Sequence, residues 1–455
     1  MTTLPTSDTI CARATPPGIA GLAVIRLSGP DAIAIADRHI NGRVSPNEAM
    51  ARTVHQGWWM DGDVRIDEIT YVVFTAPKSY TGEHVVEVSC HGGYFVTEQI
   101  LTSLIGDGAR LAEPGEFTKR AFMNGKMDLT QVEAVADILH AESRVGARTA
   151  AKQLAGGFTR RLTETREKLI GVLGLLELEL DFSEEDVEFV DRTHLRNSVQ
   201  EIINASINLA GTASSAEVLR SGFTCAVVGF PNAGKSSLFN ALLSRERAIV
   251  SDVEGTTRDY IEETIHLHGF SVRLIDTAGL RTSSDAIEVQ GMVLTRSIIE
   301  QANLVVIVND VSQGLHASAS LVDELTRQVG PFDAVVVQNK SDLLQSELSD
   351  VGTNDLLVSA KTGSGIDELR DLLYDRVKVS AEGISDVLVN ARQAQLLQQL
   401  VVCLRSVITG MDEGLSSDYL AVDLRAALRI LGDVTGEVWD PDVLEHVFSR
   451  FCIGK

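Results

Sequence analysis

Apolar residues recur along this chain in two rhythms. Near the start, short runs rich in β-branched residues, at 21–27, 69–74 and 84–90, predict strands, and 97–105 predicts a helix, so the stretch to about residue 123 is expected to mix β and α. From residue 129 to 180 the spacing changes to that of helices, through Val132, Val135, Ala136 and Leu139, then Leu162, Leu169, Val172, Leu173, Leu176 and Leu180. It continues over 194–219, stops, and resumes over 391–408, 418–431 and 441–448. Between these helical blocks lie buried-strand patterns, each ending in a polar cluster. The predicted architecture is therefore α/β plus α. A mostly parallel α/β domain at 221–380 is inserted into a discontinuous all-helical domain, 124–220 and 381–455, that follows an N-terminal α+β domain at 1–123. Ser221-Gly222 and Ser380-Ala381-Glu382-Gly383 mark the two junctions.

The polar clusters of the inserted domain carry the chemistry. Phe223-Thr224-Cys225-Ala226-Val227-Val228 feeds Gly229-Phe230-Pro231-Asn232-Ala233-Gly234-Lys235-Ser236, and a helix pattern follows from Ser237. This is a strand, phosphate loop and helix: small residues let backbone N–H groups curl around phosphates, Lys235 reaches the β/γ oxygens, and the Ser236 hydroxyl suits Mg²⁺. Asn339-Lys340-Ser341-Asp342 sits at the carboxyl end of another strand pattern, where open α/β sheets bind ligands. The Asp342 carboxylate can accept from guanine N1–H and the 2-amino group, neither of which adenine offers. Ser359-Ala360-Lys361 adds backbone donors for the guanine carbonyl. Asp276, in Asp276-Thr277-Ala278-Gly279, is expected to meet Mg²⁺ through water, and the Gly279 N–H to sense the γ-phosphate. Thr257, in Gly255-Thr256-Thr257-Arg258-Asp259, is the expected second hydroxyl for Mg²⁺.

The residue after Gly279 is Leu280, where many small GTPases carry a water-orienting Gln. Leu280 cannot polarise water, and neither Arg258 nor Arg281 can be assigned as a finger. Glu288 is an acidic candidate close by, although spacing alone favours a solvated helix-terminal carboxylate. Asn232 is a neutral oxygen donor inside the phosphate loop, suited to holding a monovalent cation together with backbone carbonyls of the loop before Gly255.

Composition narrows the class. A length of 455 residues exceeds a single core, and 44% hydrophobic with 23% charged residues is that of a folded globular chain. The N-terminus lacks the marks of a signal peptide, and no run is read as long enough to span a bilayer, so the expectation is a cytoplasmic protein without a membrane partner. Cys11, Cys90, Cys225, Cys403 and Cys452 form no paired spacing, which argues against a disulfide framework or structural zinc. A net charge of −23 argues against a simple nucleic-acid coat, so any RNA contact must be local or shared; the basic residues from Lys119 to Lys168 are a candidate footprint, but a solvated helical face is the better reading of them.

The inserted nucleotide domain, the start carrying Ala14-Thr15-Pro16-Pro17-Gly18, the motifs Tyr80-Thr81-Gly82-Glu83, His91-Gly92-Gly93, Pro114-Gly115-Glu116-Phe117 and Asp181-Phe182-Ser183-Glu184-Glu185-Asp186, and the tail Phe451-Cys452-Ile453-Gly454-Lys455 together resemble the MnmE (TrmE) family of tRNA-modification GTPases over essentially the whole length. The resemblance implies a K⁺-dependent, dimerisation-activated GTP hydrolase. With the FAD-carrying flavoprotein MnmG, in a heterotetramer, such a protein installs a 5-carboxymethylaminomethyl group on the wobble uridine of certain tRNAs, using the one-carbon unit of a 5-formyl or 5,10-methylene tetrahydrofolate. It also implies roles for residues. Glu288 is the general base. Asn232 binds K⁺ with the carbonyls of Ser251, Val253 and Thr256, and Ser236 and Thr257 bind Mg²⁺. Ser237, Asp252, Glu254, Gly255, Thr277 and Ala278 complete the GTP site with Ala233, Gly234, Lys340, Ser341 and the boxes above. Arg26, Glu87 and Lys126 bind the folate, with Lys455 close by and Cys452 either assisting the chemistry or packing. Two other readings share the nucleotide boxes. A ribosome-assembly GTPase predicts an appended basic RNA-binding module that is not evident here, and a folate-sensing regulatory GTPase predicts no chemistry beyond GTP hydrolysis.

Overall fold

A computed structural model describes residues 8–181, 192–244, 261–276, 296–314, 317–344, 355–382, 387–437, 441–449 and 451–455. The chain forms two compact units. One comprises Met1–Ala136, Gln153–Ile203 and Gln399–Lys455, the other Asp137–Lys152 and Asn204–Gln398.

The first unit opens with strands β1 (Ile10–Arg13), β2 (Ala20–Ser28), β3 (Ile40–Gly42), β4 (Val54–Asp61), β5 (Val64–Phe74), β6 (Val85–Gly92) and β7 (Arg110–Leu111) in one sheet of order β3-β4-β5-β6-β2-β1-β7. All pairs are antiparallel except β1 with β7. Alternation along β2 buries Ala23, Ile25 and Leu27 and turns Val24 and Arg26 to the other face. Ile25 and Leu27 belong to a core with Trp59, Tyr71, Val86, Val88, Ile100 and Leu104. Trp59 is fully buried, and its indole N–H donates to Ser103 Oγ at 3.1 Å, which removes the cost of hiding that donor. The expected strands and helix are present but longer, the helix running Tyr94–Gly106. The eight-residue β4 and the short strands β1, β3 and β7 are not among the strands expected from the sequence, the short ones because they give little periodic signal.

The helical stretch expected from 129 to 180 is three helices, Leu129–Leu139, Arg144–Leu154 and Gly157–Asp181. The first break carries a cap, with Ser143 Oγ accepting from Gly146 N at 2.9 Å, and the second holds Gly156 at φ +86°. Within the first unit, Ser417–Thr435 packs along Gly157–Asp181, with Arg425 bridging to Glu177 at 2.7 Å. Phe122, Leu129, Val132, Leu444, Phe448 and Phe451 close a smaller core there.

One expectation is corrected by the helix Ala391–Asp412. Its 22 residues, with a window of mean hydropathy 1.2, meet the length and composition of a bilayer span. Its apolar residues Leu397, Leu400, Leu404 and Val407 are buried in the protein, while Gln395, Gln398, Gln399 and Arg405 face outward, the pattern of an amphipathic core helix.

The second unit is built on β8 (Phe223–Gly229), β9 (Ile261–Leu267), β10 (Phe270–Asp276), β11 (Leu304–Asp310), β12 (Ala334–Asn339) and β13 (Leu356–Leu357), in the order β13-β12-β11-β8-β10-β9. Every pair is parallel except β9 with β10. Strands β8 and β11 are central and read as near-continuous apolar runs, as sheets covered on both faces require. Strands β8, β10, β11 and β12 run parallel to one another, so their carboxyl ends share one edge. The polar boxes are attached there.

Candidate nucleotide site and a second, tail-closed site

The phosphate loop leaves β8 at Gly229 and enters the helix Lys235–Ser244, so backbone N–H groups and the positive end of the helix dipole face one spot. Asn232 (φ +62°) and Gly234 (φ +89°) take left-handed conformations that curl the loop. At Gly234 a side chain is also excluded by space, since a Cβ there would lie 2.3 Å from Asn339 Nδ2. The Lys235 ammonium donates to the carbonyls of Gly229 (2.9 Å) and Phe230 (3.0 Å), a position inside the loop from which it can turn to a phosphate. Ser236 Oγ donates to Asp276 Oδ2 at 3.1 Å, although the two residues are 40 positions apart. Two hard oxygen donors thus converge beside the loop, the donor type that Mg²⁺ selects.

On the base side, Asn339 is buried and ties the boxes together. Its Nδ2 donates to Ala233 O at 2.9 Å, and its Oδ1 accepts from Ala360 N at 3.1 Å. Asp342 Oδ1 accepts from Ser359 Oγ at 2.6 Å, and that hydrogen bond, aided by Lys361 and Lys340, holds the Asp342 carboxyl below the usual range. Asp342 therefore stays an ionised acceptor, as guanine recognition requires. The Lys340 ammonium lies 2.6 Å from Asp310 Oδ2, a partner at the end of β11 that the sequence reading did not single out. Ser341 opens the short helical turn that carries Asp342, Ser237 lies in the helix after the loop, and Lys361 is exposed.

The structure thus brings together Ala233, Gly234, Lys235, Ser236, Asp276, Asn339, Asp342, Ser359 and Ala360. Asn232 is exposed in the loop, with its proposed cation partners outside the described residues. Ser251, Asp252, Val253, Glu254, Gly255, Thr256, Thr257, Thr277, Ala278, Gly279, Leu280 and Glu288 also lie outside them.

In the first unit, Arg26 on β2 and Glu87 on β6 are cross-strand partners, and their side chains pair at 2.8 Å. The Arg26 guanidinium lies over the rings of Tyr80 (5.2 Å) and Phe117 (5.6 Å), so this is a partly buried, ring-flanked ion pair rather than a free charge on a sheet face. The C-terminal tail docks beside it: Gly115 N donates to Cys452 O (3.4 Å), Phe117 N to Lys455 O (3.2 Å), and Arg26 Nη1 to Gly454 O (3.5 Å). Burial, together with the neighbouring Arg26 charge, lowers the Lys455 amine below the usual lysine value. Lys126 donates to Pro77 O at 3.1 Å, a separate contact from the Arg26–Glu87 pair. Cys452 is exposed, whereas Cys11, Cys90 and Cys225 are buried, their thiols pushed up to about 11, 11 and 12 by desolvation. His91 is exposed too, and its Nδ1 meets Asp67 Oδ1 at 2.7 Å.

The motifs around residues 80 and 115 prove to be parts of one partly buried charge cluster. Glu116 accepts from Arg110 Nη2 (2.6 Å), Arg120 Nη2 (3.0 Å) and its own loop at Glu113 N (2.7 Å). Arg120 also bridges to Asp8 (2.7 Å) and Glu83 (3.3 Å), and Glu83 accepts from Ser28 Oγ (2.6 Å). Burial alone would raise the Glu116 carboxyl, but Arg110, the Glu113 N–H and Arg120 outweigh it and hold it low.

A mostly parallel sheet with a phosphate loop after its central strand and a guanine-type box after β12 defines a P-loop guanine-nucleotide-binding protein. Family models place it more closely. The GTP-binding protein TrmE N-terminus matches residues 9–126, and the MnmE helical domain matches residues 129–452. The chain is 42% identical to a tRNA modification GTPase MnmE from Porphyromonas gingivalis, with 98% of each chain covered. It is 43% identical to that of Cytophaga hutchinsonii (99% of this chain, 98% of the relative) and 42% identical to that of Salinibacter ruber (99% of each). The chain belongs to the tRNA modification GTPase MnmE family.

Proposed function

We propose that this chain hydrolyses GTP to drive a tRNA modification: with the flavoprotein MnmG it installs the 5-carboxymethylaminomethyl group on the wobble uridine, using a tetrahydrofolate one-carbon unit. The observation that carries the nucleotide part is the bridge made by Asn339 between the phosphate loop at Ala233 and the loop at Ala360, which fixes phosphate and base recognition at one spacing. In this reading Lys235 turns from the loop carbonyls to the β/γ oxygens, and Asp342 accepts from the guanine edge. Ser236 and Thr257 would hold Mg²⁺, with Asp276 reaching it through water, and the metal would supply neutralisation of phosphate charge. Asn232, with the carbonyls of Ser251, Val253 and Thr256, holds K⁺ where an arginine finger would otherwise sit, and Glu288 accepts a proton from the attacking water in place of the Gln that Leu280 replaces.

The folate part rests on the family and on the chemistry of the Arg26 site. A carboxylate such as Glu87 suits the amino-pyrimidine edge of a pterin, and the cations of Arg26, Lys126 and Lys455 suit a glutamate tail. GTP hydrolysis through paired G domains of a homodimer is the timing step for this chemistry. The test is tRNA modification by the purified chain plus the flavoprotein, with folate omitted in one arm, and GTP turnover measured in K⁺ and Na⁺ at equal ionic strength. Turnover is expected to depend on K⁺ and modification on folate. Equal rates in the two salts would remove the cation role of Asn232, and modification without folate would remove the folate role.

A further inference from the structure

Lys340 enters the left-handed region (φ 64°) at the end of β12, and its ammonium is tied to Asp310 Oδ2 at 2.6 Å. Strands β11 and β12 are in register with Asp310 opposite Asn339, so the two residues leave the sheet side by side. The Asp310 side chain is only 6% exposed. Its other oxygen, Oδ1, accepts from Ser312 N (2.9 Å) and Ser312 Oγ (2.7 Å). A carboxylate this buried persists only when fully paired and hydrogen-bonded, and here the pairing cation belongs to the base-recognition box itself. Held at both ends, the Lys340 stem runs beside the phosphate loop, with Cε 4.0 Å from where a Cβ of Gly234 would stand. It therefore spans the gap between Asp342, which reads the base, and the loop that takes the phosphates. A nucleoside joining those two points must cross that stem.

We propose that Asp310 is a positioning residue for guanine-nucleotide binding, holding the Lys340 stem as a fixed apolar rail against the nucleoside while Asp342 alone reads the base edge. This rests on the nucleotide reading above. Lysine side chains carry about 2 kcal/mol of rotamer entropy, so a stem already ordered before binding spares that loss when the nucleotide arrives. Asp310 itself touches no part of the ligand.

The test is a double-mutant cycle on the full-length chain, read by dissociation of a fluorescent GDP analogue, with Asp310→Asn, Lys340→Met and both together. Asp310→Asn is expected to raise the Kd for GDP about tenfold, mostly through faster release, the equivalent of one charge-assisted hydrogen bond. In the Lys340→Met background the same change should add less than about twofold, because the group through which it acts is gone. The preference for guanine over xanthine nucleotides stays unchanged in Asp310→Asn. An unchanged Kd, a loss of equal size in the Lys340→Met background, or a shifted base preference would each overturn the proposal. Should Asp310→Asn fail to fold, Ser312→Ala replaces it in the same cycle: it removes a hydroxyl donor to Asp310 and is expected to raise Kd about two- to threefold, again only when Lys340 is present. A wild-type chain that does not bind the GDP analogue would overturn the nucleotide reading itself, whereas the outcomes above overturn only the role of Asp310.

Discussion

The nucleotide site and the tail-closed site are built on opposite principles. The first gathers contiguous boxes at the ends of neighbouring parallel strands. Its side chains and loop N–H groups are held by β8, β11 and β12 and cross-linked by the buried side chain of Asn339. The second gathers single residues from β2, β6, the loop at Gly115 and the chain end, with Arg26 and Gly454 separated by 428 positions. A site of the first kind tolerates change wherever the sheet stays intact and fails sharply at a reading residue. A site of the second kind depends on the packing that brings distant segments together, so changes well outside it should disturb it.

The largest expected effect lies on the nucleotide side. Asp342→Asn removes the acceptor for two guanine donors and leaves the sheet untouched, so GTP affinity should fall on the order of 10³-fold or more while melting stays the same. Equilibrium titration with GTP and xanthosine triphosphate measures it, the second nucleotide gaining as the first loses. A uniform loss for both would mean that Asp342 holds the loop rather than reads the base, and the contrast between the sites would weaken. On the other side, Glu116→Gln strikes a side chain that has no part in the Arg26 pair. It removes the charge of an acceptor shared by the half-exposed Arg110 and the buried Arg120, which keep Asp8 and, for Arg120, Glu83 as partners, so the cost is about 1.5 kcal/mol. Thermal melting should drop by several degrees, with GTP hydrolysis by the second unit retained. A fall in nucleotide affinity of the same size would show that the two sites do not fail independently.

How far each site could be read in the sequence follows from the same contrast. The run Val335-Val336-Val337 followed by Asn339 and Asp342 announces a strand and its ligand box within eight residues, because both the periodicity and the chemistry are local. Asp310 escaped notice because a strand-terminal acid has no local signature, and its pairing with Lys340 exists only through the register of β11 and β12. The cluster of Asp8, Glu83, Arg110, Glu116 and Arg120 was equally hidden. Tyr80-Thr81-Gly82-Glu83 and Pro114-Gly115-Glu116-Phe117 stood out as family motifs, but nothing local indicates that they share one arginine. The docking of the tail on Gly115 and Phe117 was legible only through the family, since no periodicity links a chain's last residues to a strand near its start. Helix lengths misled for a related reason: continuous apolar spacing from 129 to 180 conceals breaks set by a Ser143 cap and a left-handed Gly156.

A smaller effect tests the docking of the tail directly. Gly454 sits at φ +98°, and a Cβ there would lie 2.3 Å from Arg13 O, so Gly454→Ala meets both strain and backbone contact. The cost is about 2 kcal/mol, within what a four-residue tail can relieve by leaving. Carboxypeptidase should then release Lys455 readily from the variant and slowly from the wild type, while global melting shifts little. Equal release from both would mean that the tail is already free, and Cys452 with it.

The smallest effect is a dependence on pH. Arg110 and Arg120 hold Glu116 and Asp8 below their ordinary values of 4.5 and 3.8 in the folded chain. A carboxylate whose folded value is depressed contributes stability that is complete above its unfolded value and is lost as pH falls through the folded one. Melting of the wild type and of Glu116→Gln should therefore run parallel from pH 7 down to about 5 and converge only below that, as protonation removes from the wild type what the substitution has already removed. Convergence that begins well above pH 5 would identify a group other than these two carboxylates as the one that holds the tail-closed site together.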